Sequence, residues 1–379
     1  MLIRTTREAM LQAIKQVGRA VSAHPVIPLL TGIHMSAQQE ELRLTASNMA
    51  MTIEVCIQNG QESELVVERA GAVVVPAKYM HDIIQRLDPG RLMLEQTNND
   101  EIVITSGLSR FRLNGLDPHS FPLISAVRNS DRTSLYTVNE HLKSAIREVV
   151  IATSASETRP VLTGVSATFR SDSLELMATN GVQLAHRIIP LTGQAPHETI
   201  VVIPGKTLSE LSKLIGDDTE GLMHIEADAQ SIIFTTGRLQ VQSALLEGSM
   251  PSMTKLMPAS LQSEIRLSSK ALLRSAERVS VLAGGNLIRL TAGDGRLKLL
   301  AKTSEIGDVE DEVELASVHG EAFSVALNGS FLTEIMRCIH SEQVSLQLTG
   351  SRSPVMIVPI REQRDALYLL TPVLTSTGS

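Results

Sequence analysis

The sequence predicts an α+β protein made of three tandem copies of one domain, each with two helices and about eight strands. Three observations predict it. A strand that ends in a small turn and runs into an amphipathic helix occurs three times: VVVPAKYMHDIIQRL from Val73, VVIPGKTLSELSKLI from Val201 and SVALNGSFLTEIMRCI from Ser324. The turn residues Pro76, Pro204 and Asn328 recur about 125 residues apart, a domain-sized period well beyond the roughly 20–50 residues of a solenoid repeat. An earlier element recurs in step with it. MLIRTTREAMLQAIKQVGRAV, SLYTVNEHLKSAIREVVIAT and SEIRLSSKALLRSAERVSVLA each read as a short strand, a Ser, Thr or Asn cap and a helix. Finally, 379 residues exceed what one core serves and divide into three ordinary domains.

Between these helices lie alternating runs. In the first copy, LRLTAS from Leu42 and MTIEVCI from Met51 alternate as half-buried strands, and RLMLEQ, EIVITSG and SRFRLNGL follow the second helix. The second copy continues with SLELMAT, LAHRIIPL, LMHIEAD, SIIFTTG and LQVQSALL, and the third with LKLLAKT, EVELASV, VSLQLTG, VMIVPI and ALYLLTPV. Two helices and about eight strands make each copy an α+β unit. LDPHSFPLI (Leu116 to Ile124) and EGSMPSMTKLMP (Glu247 to Pro258) occupy matching places. Their prolines stiffen the chain and remove ladder donors, so they read as connectors. The expected domains are 1–125, 126–254 and 255–379.

Hydrophobic residues at 43% suffice for packed cores, and 20% charged residues are ordinary for a soluble protein. Cys56 and Cys338 have no CxxC neighbour, so neither a disulfide framework nor a zinc site is expected. Arg4, Arg7 and Glu8 precede any apolar run, and no run has the length of a membrane span. The expected setting is the cytoplasm. A net charge of −7 and 2% aromatics, with no Trp, argue against gripping nucleic acid by bulk charge or base stacking. The distribution of charge says something else. The first helices carry Arg7, Lys15 and Arg19, then Lys143 and Arg147, then Lys270, Arg274 and Arg278; the second carry Lys78 and Arg86, Lys206 and Lys213, then Arg337. Spacings of four and eight place those of the first helices on one face. On one helix this is ordinary solvated surface, diluted by Glu148, Glu210, Glu277 and Glu334; over six helices a basic surface is an equal alternative.

No constellation amounts to catalysis. IPGKTLSE has GKT after a strand, but Ile200 stands where a phosphate-binding loop needs its first glycine. DVEDEVE (Asp308 to Glu314) alternates acids with valine and lacks an EF-hand spacing, so it reads as a charged edge strand. Histidines are scattered and no GxSxG elbow occurs. No catalytic residue, metal or cofactor is expected.

SASETRPVLTGV (Ser154 to Val165), VVIPGKTLSELSKLI and LLEGSMPSMTKLMP resemble the β subunit of bacterial DNA polymerase III, the sliding clamp family, over the whole chain and in the order of its repeats. The resemblance implies a head-to-tail homodimer closing a six-domain ring, with helices lining the hole and sheets outside. It also implies duplex DNA held by topology without base readout. Implied partners are the polymerase α subunit, the clamp loader and other proteins bearing clamp-binding peptides, with no membrane. The DNA-facing positions would be His24, Arg159 and Lys206, joined by Lys143, Arg147, Lys270, Arg274 and Arg278 from the helical pattern.

A peptide pocket is implied at Leu162, Thr179, Gly181, Val182, Gln183, Leu184, Pro251, Lys255 and Leu256. Asn328, Phe331, Arg352, Pro354, Leu370, Pro372 and Val373 would complete it. Leu184, Leu256 and Phe331 have an alternative place in the core. The implied dimer seam sets Phe111 against Val281 and Leu282, with Arg110 and Arg112 near the acidic strand from Asp308. The chain departs from the family at the pocket. TNGVQLA (Thr179 to Ala185) stands for Thr-Asp-x-His-Arg-Leu-Ala, Met250 and Ser252 flank Pro251, and Leu374 takes the place of a terminal arginine. Lost arginines remove multidentate donors, so the expectation is a divergent second clamp with altered partner preference, and a ring-fold scaffold is the alternative.

Overall fold

The computed structural model describes residues 1–22, 27–97, 101–122, 133–194, 198–216, 221–251, 261–303, 305–350, 352–363 and 365–374. The expected helices are all present: α1 (Arg7–Val17), α2 (Ala77–Arg86), α3 (Asn139–Val150), α4 (Gly205–Leu214), α5 (Ser269–Ser280) and α6 (Gly329–Cys338). Their caps follow the sequence pattern. Thr6 accepts from the Ala9 N–H to start α1, Ser268 from Ala271 to start α5, and Asn328 from Ser330 and Phe331 to start α6. Each helix buries one stripe; α1 turns Met10, Leu11, Ala13, Ile14 and Val17 inward, and α5 turns Leu272, Ala276 and Val279.

Two compact units contain these elements: Met1–Asn139 with Lys213–Leu245, and Glu140–Ser212 with Leu246–Ser379. They do not follow the three sequence copies, because hydrogen-bonded sheets run through the middle one. The expected boundaries at 125 and 254 lie outside the described residues. In the first unit, a five-stranded sheet has the order Val66–Arg69, Leu2–Thr6, Arg91–Gln96, Glu101–Ser106, Ser109–Asn114. A second sheet runs Thr133–Val138, Leu222–Ala227, Ser231–Thr236, Leu239–Ala244, Met51–Gln58, Glu41–Ser47, Gly32–Gln38, Gly71–Pro76. Its joint is the antiparallel pairing of Leu239–Ala244 with Met51–Gln58, where Leu239 faces Val55 and Ser243 faces Met51.

The second unit holds a continuous twelve-stranded sheet. Its order begins Thr199–Pro204, Gly164–Phe169, Ser173–Thr179, Gln183–Pro190, Ala366–Leu370, Val355–Pro359, Gln343–Leu348 and Ser263–Ser268. It continues through Gly307–Gly320, Arg296–Thr303, Leu287–Gly293 and Phe323–Asn328. The corresponding joint pairs Gln183 with Leu370 and Arg187 with Ala366.

The acidic run and EVELASV form one strand rather than two. Its Gly307–Glu314 half pairs on one side with Arg296–Thr303, and its Leu315–Gly320 half pairs with Ser263–Ser268. Among the described residues no second strand pairs with the acidic half, and two of its acids are engaged within the sheet. Arg296 reaches Glu312 at 2.7 Å, and Lys298 reaches Glu310 and Glu312 at 3.2 and 3.1 Å. The GKT sequence has a packing reason. A Cβ on Gly205 would stand 2.9 Å from both Thr153 Cγ2 and the Thr163 carbonyl oxygen, so the close seat of α4 excludes a side chain there.

Candidate functional site

A cavity of about 320 Å³ opens in the second unit where three segments meet. The Pro160–Thr163 turn supplies Val161 and Leu162. The loop after strand Ser173–Thr179 supplies Thr179, Gly181, Val182, Gln183 and Leu184, and the chain around strand Ala366–Leu370 supplies Leu369 and Thr371. Arg159, Ser249, Pro251 and Pro354 complete the wall. Below it Met177, Leu184, Met356, Leu367 and Leu369 form a buried cluster, with Met250 and Val358 packed on it. Leu184 is thus both core residue and cavity wall.

The loop at the mouth is closed by its own side chains. Asn180 Oδ1 accepts from the Val182 and Gln183 N–H groups, each at 2.9 Å. Thr179 Oγ1 donates to the Gln183 carbonyl at 2.7 Å and accepts from Gly181 N–H at 3.1 Å. Gly181 takes φ +89°, a left-handed conformation that favours glycine. An asparagine oxygen accepts both bonds as a carboxylate would, so losing the family's acid leaves the loop closed. Thr371 N–H donates to Val182 O at 2.9 Å, tying the loop to the last strand. Val182 is 42% exposed and presents an apolar face at the rim. Gln183, where the family pattern has Arg, is 2% exposed. Its Nε2 donates to Ile151 O at 2.7 Å, and its Oε1 has no partner among the described residues. The polar character of the wall is therefore neutral except at Arg159.

Eight implied pocket residues line this cavity: Leu162, Thr179, Gly181, Val182, Gln183, Leu184, Pro251 and Pro354. Asn328, Phe331, Arg352, Leu370, Pro372 and Val373 do not. Leu370 fails by alternation: it pairs with Gln183 and is fully buried, while its neighbour Leu369 turns to the cavity. Asn328 caps α6, and Phe331 lies half-buried on that helix. Val373 is pinned through its N–H to Ala326 O at 2.8 Å. Arg352 is exposed and Pro372 buried. Lys255 and Leu256 lie outside the described residues. Sequence reasoning missed Val161, Ser249, Leu369 and Thr371. The period of two along ALYLLTP would have selected Leu369 and Thr371 over Leu370. Arg159, expected at DNA, stands in this cavity wall.

Six of the other expected DNA-facing residues sit on helices. Arg147, Lys206, Lys270, Arg274 and Arg278 are exposed and Lys143 half-buried; His24 lies outside the described residues. The cations are not equally available. Arg278 holds Asp311 through Nε at 2.8 Å and Nη2 at 2.5 Å, and Arg337 holds Glu277 at 2.9 Å. Burial would raise the Asp311 carboxyl, but the hydrogen bonds from Arg278 outweigh it and hold it below its ordinary value. In the first unit, Arg7, Lys15, Arg19 and Lys213 line a groove of about 440 Å³ beside Glu8.

The expected seam residues are surface residues. Phe111, 38% exposed, lies on Ser109–Asn114, the outermost strand of the five-stranded sheet. Val281 is 80% exposed just beyond α5, and Leu282 is half-buried. Burial drives the Cys338 thiol up to about 11, and burial with Glu41 does the same to Cys56. Neither is a thiolate nucleophile at neutral pH. Among the described residues no cluster of His, Cys, Asp and Glu could hold a metal ion.

Comparison with known proteins agrees with this arrangement. Models of the DNA polymerase III beta subunit N-terminal, central and C-terminal domains match residues 1–125, 137–252 and 254–373. The beta sliding clamps of Staphylococcus epidermidis and Staphylococcus aureus are each 32% identical over 375 residues, covering 97% of this chain and 98% of theirs. The crystal structure of the DNA polymerase sliding clamp from Bacillus subtilis matches with a TM-score of 0.94 at 28% identity over 99% of both chains. The beta chain of Streptococcus pneumoniae matches at 0.92 and 26% identity, over 99% of this chain and all of that one. With its three domain models in sequence order and relatives of equal length, this chain belongs to the DNA polymerase III β-subunit family.

Proposed function

We propose that this protein is a non-catalytic DNA sliding clamp, a processivity factor that closes around duplex DNA as a head-to-tail homodimer and tethers partner proteins by short peptides. The observation that carries the reading is the cavity over Leu184 and Leu369 in the second unit. Three segments far apart in sequence build it, from Pro160, Thr179 and Leu369, and it offers apolar depth with few polar groups, the form a peptide-anchor site takes. Arg147, Lys206, Lys270 and Arg274 are exposed helical cations that suit a lining weak enough to slide, since tight phosphate pairing would hold the ring in place. A bound peptide keeps its owner at high local concentration beside the primer end. The setting is the bacterial cytoplasm, with polymerase α subunit and clamp loader as partners.

Dimer closure rests on Ser109–Asn114 and the acidic half of Gly307–Gly320. The first is an outer strand bearing Arg110, Phe111 and Arg112; the second pairs with one strand alone among the described residues. Opposite charges on two strand edges favour head-to-tail pairing. The neutral pocket loop supports a divergent clamp with its own partner preference.

Retention on DNA of two topologies tests the function. Loaded by a clamp loader onto nicked circular DNA, the protein stays bound until the circle is linearised and then leaves. Equal loss from circular and linear DNA would support the scaffold reading instead.

A further inference from the structure

We propose that Glu148 is a positioning residue for the peptide cavity, setting from the far face of the sheet the two strands that carry Leu184 and Leu369. The inference rests on the peptide-docking reading and adds the group that holds the site in shape. Leu184 stands on strand Gln183–Pro190 and Leu369 on Ala366–Leu370, and the two residues face each other across the ladder. The first strand belongs to the second copy of the repeat and the other to the third, so the cavity straddles a joint between copies. Its shape follows how that joint is set.

Alternation separates the cavity from the helix side. Ala185 pairs with Tyr368 and Arg187 with Ala366, so Arg187 and Tyr368 point to the face opposite Leu184 and Leu369. On that face lies the end of α3. Glu148, buried there, takes Arg187 Nε at 3.2 Å and Arg361 Nη2 at 3.0 Å, and the Tyr368 hydroxyl donates to it at 3.4 Å. Just past the helix, the Ile151 carbonyl accepts from Gln183 Nε2 at 2.7 Å. One helix end thus grips the strand at Gln183 and at Arg187, about 13 Å apart along it, with Leu184 between. Asp365 completes the network by engaging both arginines, and its carbonyl accepts from Ile188 N–H at 2.8 Å.

The apolar face cannot set the strands by itself. Met177, Leu184, Met356, Leu367 and Leu369 gain from burial in many arrangements, because the hydrophobic effect has no direction. Charge-assisted hydrogen bonds fix both distance and angle. Here two acids, Glu148 and Asp365, meet two cations, Arg187 and Arg361. Removing the Glu148 charge leaves two cations to one acid in a largely buried place, and their repulsion drives them apart. That movement reaches the cavity through the strands of Arg187 and Tyr368, which also hold Leu184 and Leu369.

The test uses the full chain and a fluorescent peptide with Leu and Phe anchors, its affinity read by anisotropy below the melting transition of every variant. Glu148→Gln weakens the peptide about three- to tenfold, the range in which residues away from a site modulate it. Arg361→Gln weakens it too; at the partly exposed edge of the network, it carries the test where Glu148→Gln fails to fold. The double variant leaves Arg187 and Asp365 as a balanced pair and binds more tightly than Glu148→Gln alone. Leu272→Ala, in the core under α5, lowers the melting temperature and leaves the affinity unchanged. Unchanged affinity in Glu148→Gln and Arg361→Gln overturns the inference, whatever their stability. Additive losses in the double variant, or equal weakening by Leu272→Ala, overturn it as well, because the effect is then one of general stability. Failure of the peptide to bind the unaltered chain overturns the docking reading itself.

Discussion

Each unit contains one joint between copies of the repeat, and the two are built on the same plan with opposite fillings. AIKQV (Ala13 to Val17) on α1 corresponds to AIREV (Ala145 to Val149) on α3, so Gln16 stands where Glu148 stands. The sheet registers equate Val55 with Arg187, since Val55 pairs with Leu239 and Arg187 with Ala366. In the second unit the joint is closed by charge. Glu148, 3% exposed, takes Arg187 at 3.2 Å and Arg361 at 3.0 Å, and Tyr368 and Ser144 donate to it at 3.4 and 3.2 Å. Asp365 engages both arginines from the other side.

In the first unit the same region is a cavity of about 850 Å³, walled by Gln12, Gln16, Cys56, Leu214 and the Thr236–Leu239 hairpin. Loop length explains the difference. Gly237 and Arg238 alone join their strands, whereas residues 360–365 form the matching connection and carry Arg361 and Asp365. A repeat unit can thus keep its sheet register while a few residues in one hairpin decide whether its joint is locked or hollow.

Breaking the locked joint gives the largest effect. Glu148→Ala strands Arg187 and Arg361 beside one remaining acid and costs about 3 kcal/mol or more in urea unfolding, while Gln16→Ala costs about 0.5 kcal/mol or less. Similar losses at the two sites would mean that the network does not lock its joint. The pocket floor comes next. Leu184→Ala removes buried volume from the Met177, Met356, Leu367 and Leu369 cluster and costs about 2–4 kcal/mol. Val182→Asp at the rim leaves unfolding nearly unchanged but weakens capture of an apolar-anchored peptide about tenfold or more, read by fluorescence anisotropy.

At the seam, Phe111→Ala shifts sedimentation toward monomer at low micromolar concentration; an unchanged sedimentation profile would remove Phe111 from the interface. The smallest effect is titration of His34, whose pKa burial lowers below 6.5. The unfolded chain takes up the proton first, so stability is full above pH 6.5 and declines as pH falls toward the lowered folded value. His34→Asn flattens that segment of a melting-temperature profile.

Much of the fold was legible from short-range rules. Cap residues Thr6, Ser268 and Asn328 mark helix starts, and alternation marks the strands. The cavity was legible where its residues cluster, at Leu162 and Thr179 to Leu184, and illegible where adjacent residues point apart, as Leu369 and Leu370 do. Glu148 shows the limit most clearly. On a helical face it reads as an acid diluting an exposed basic surface, yet it is buried by partners 39, 213 and 220 positions away. No local pattern announces them. Arg159 read as a DNA contact by resemblance to the family; apart from Val161 and Leu162, its neighbours in the cavity lie 20 and more residues away in sequence.

Hydrogen–deuterium exchange with and without a saturating apolar-anchored peptide tests the central contrast between the two cavities most directly. Added protection is expected at Gly181 to Gln183 and Leu369 to Thr371, with Gln12 to Gln16 and Thr236 to Leu239 unchanged. Protection in the first unit, or none at either cavity, would contradict it.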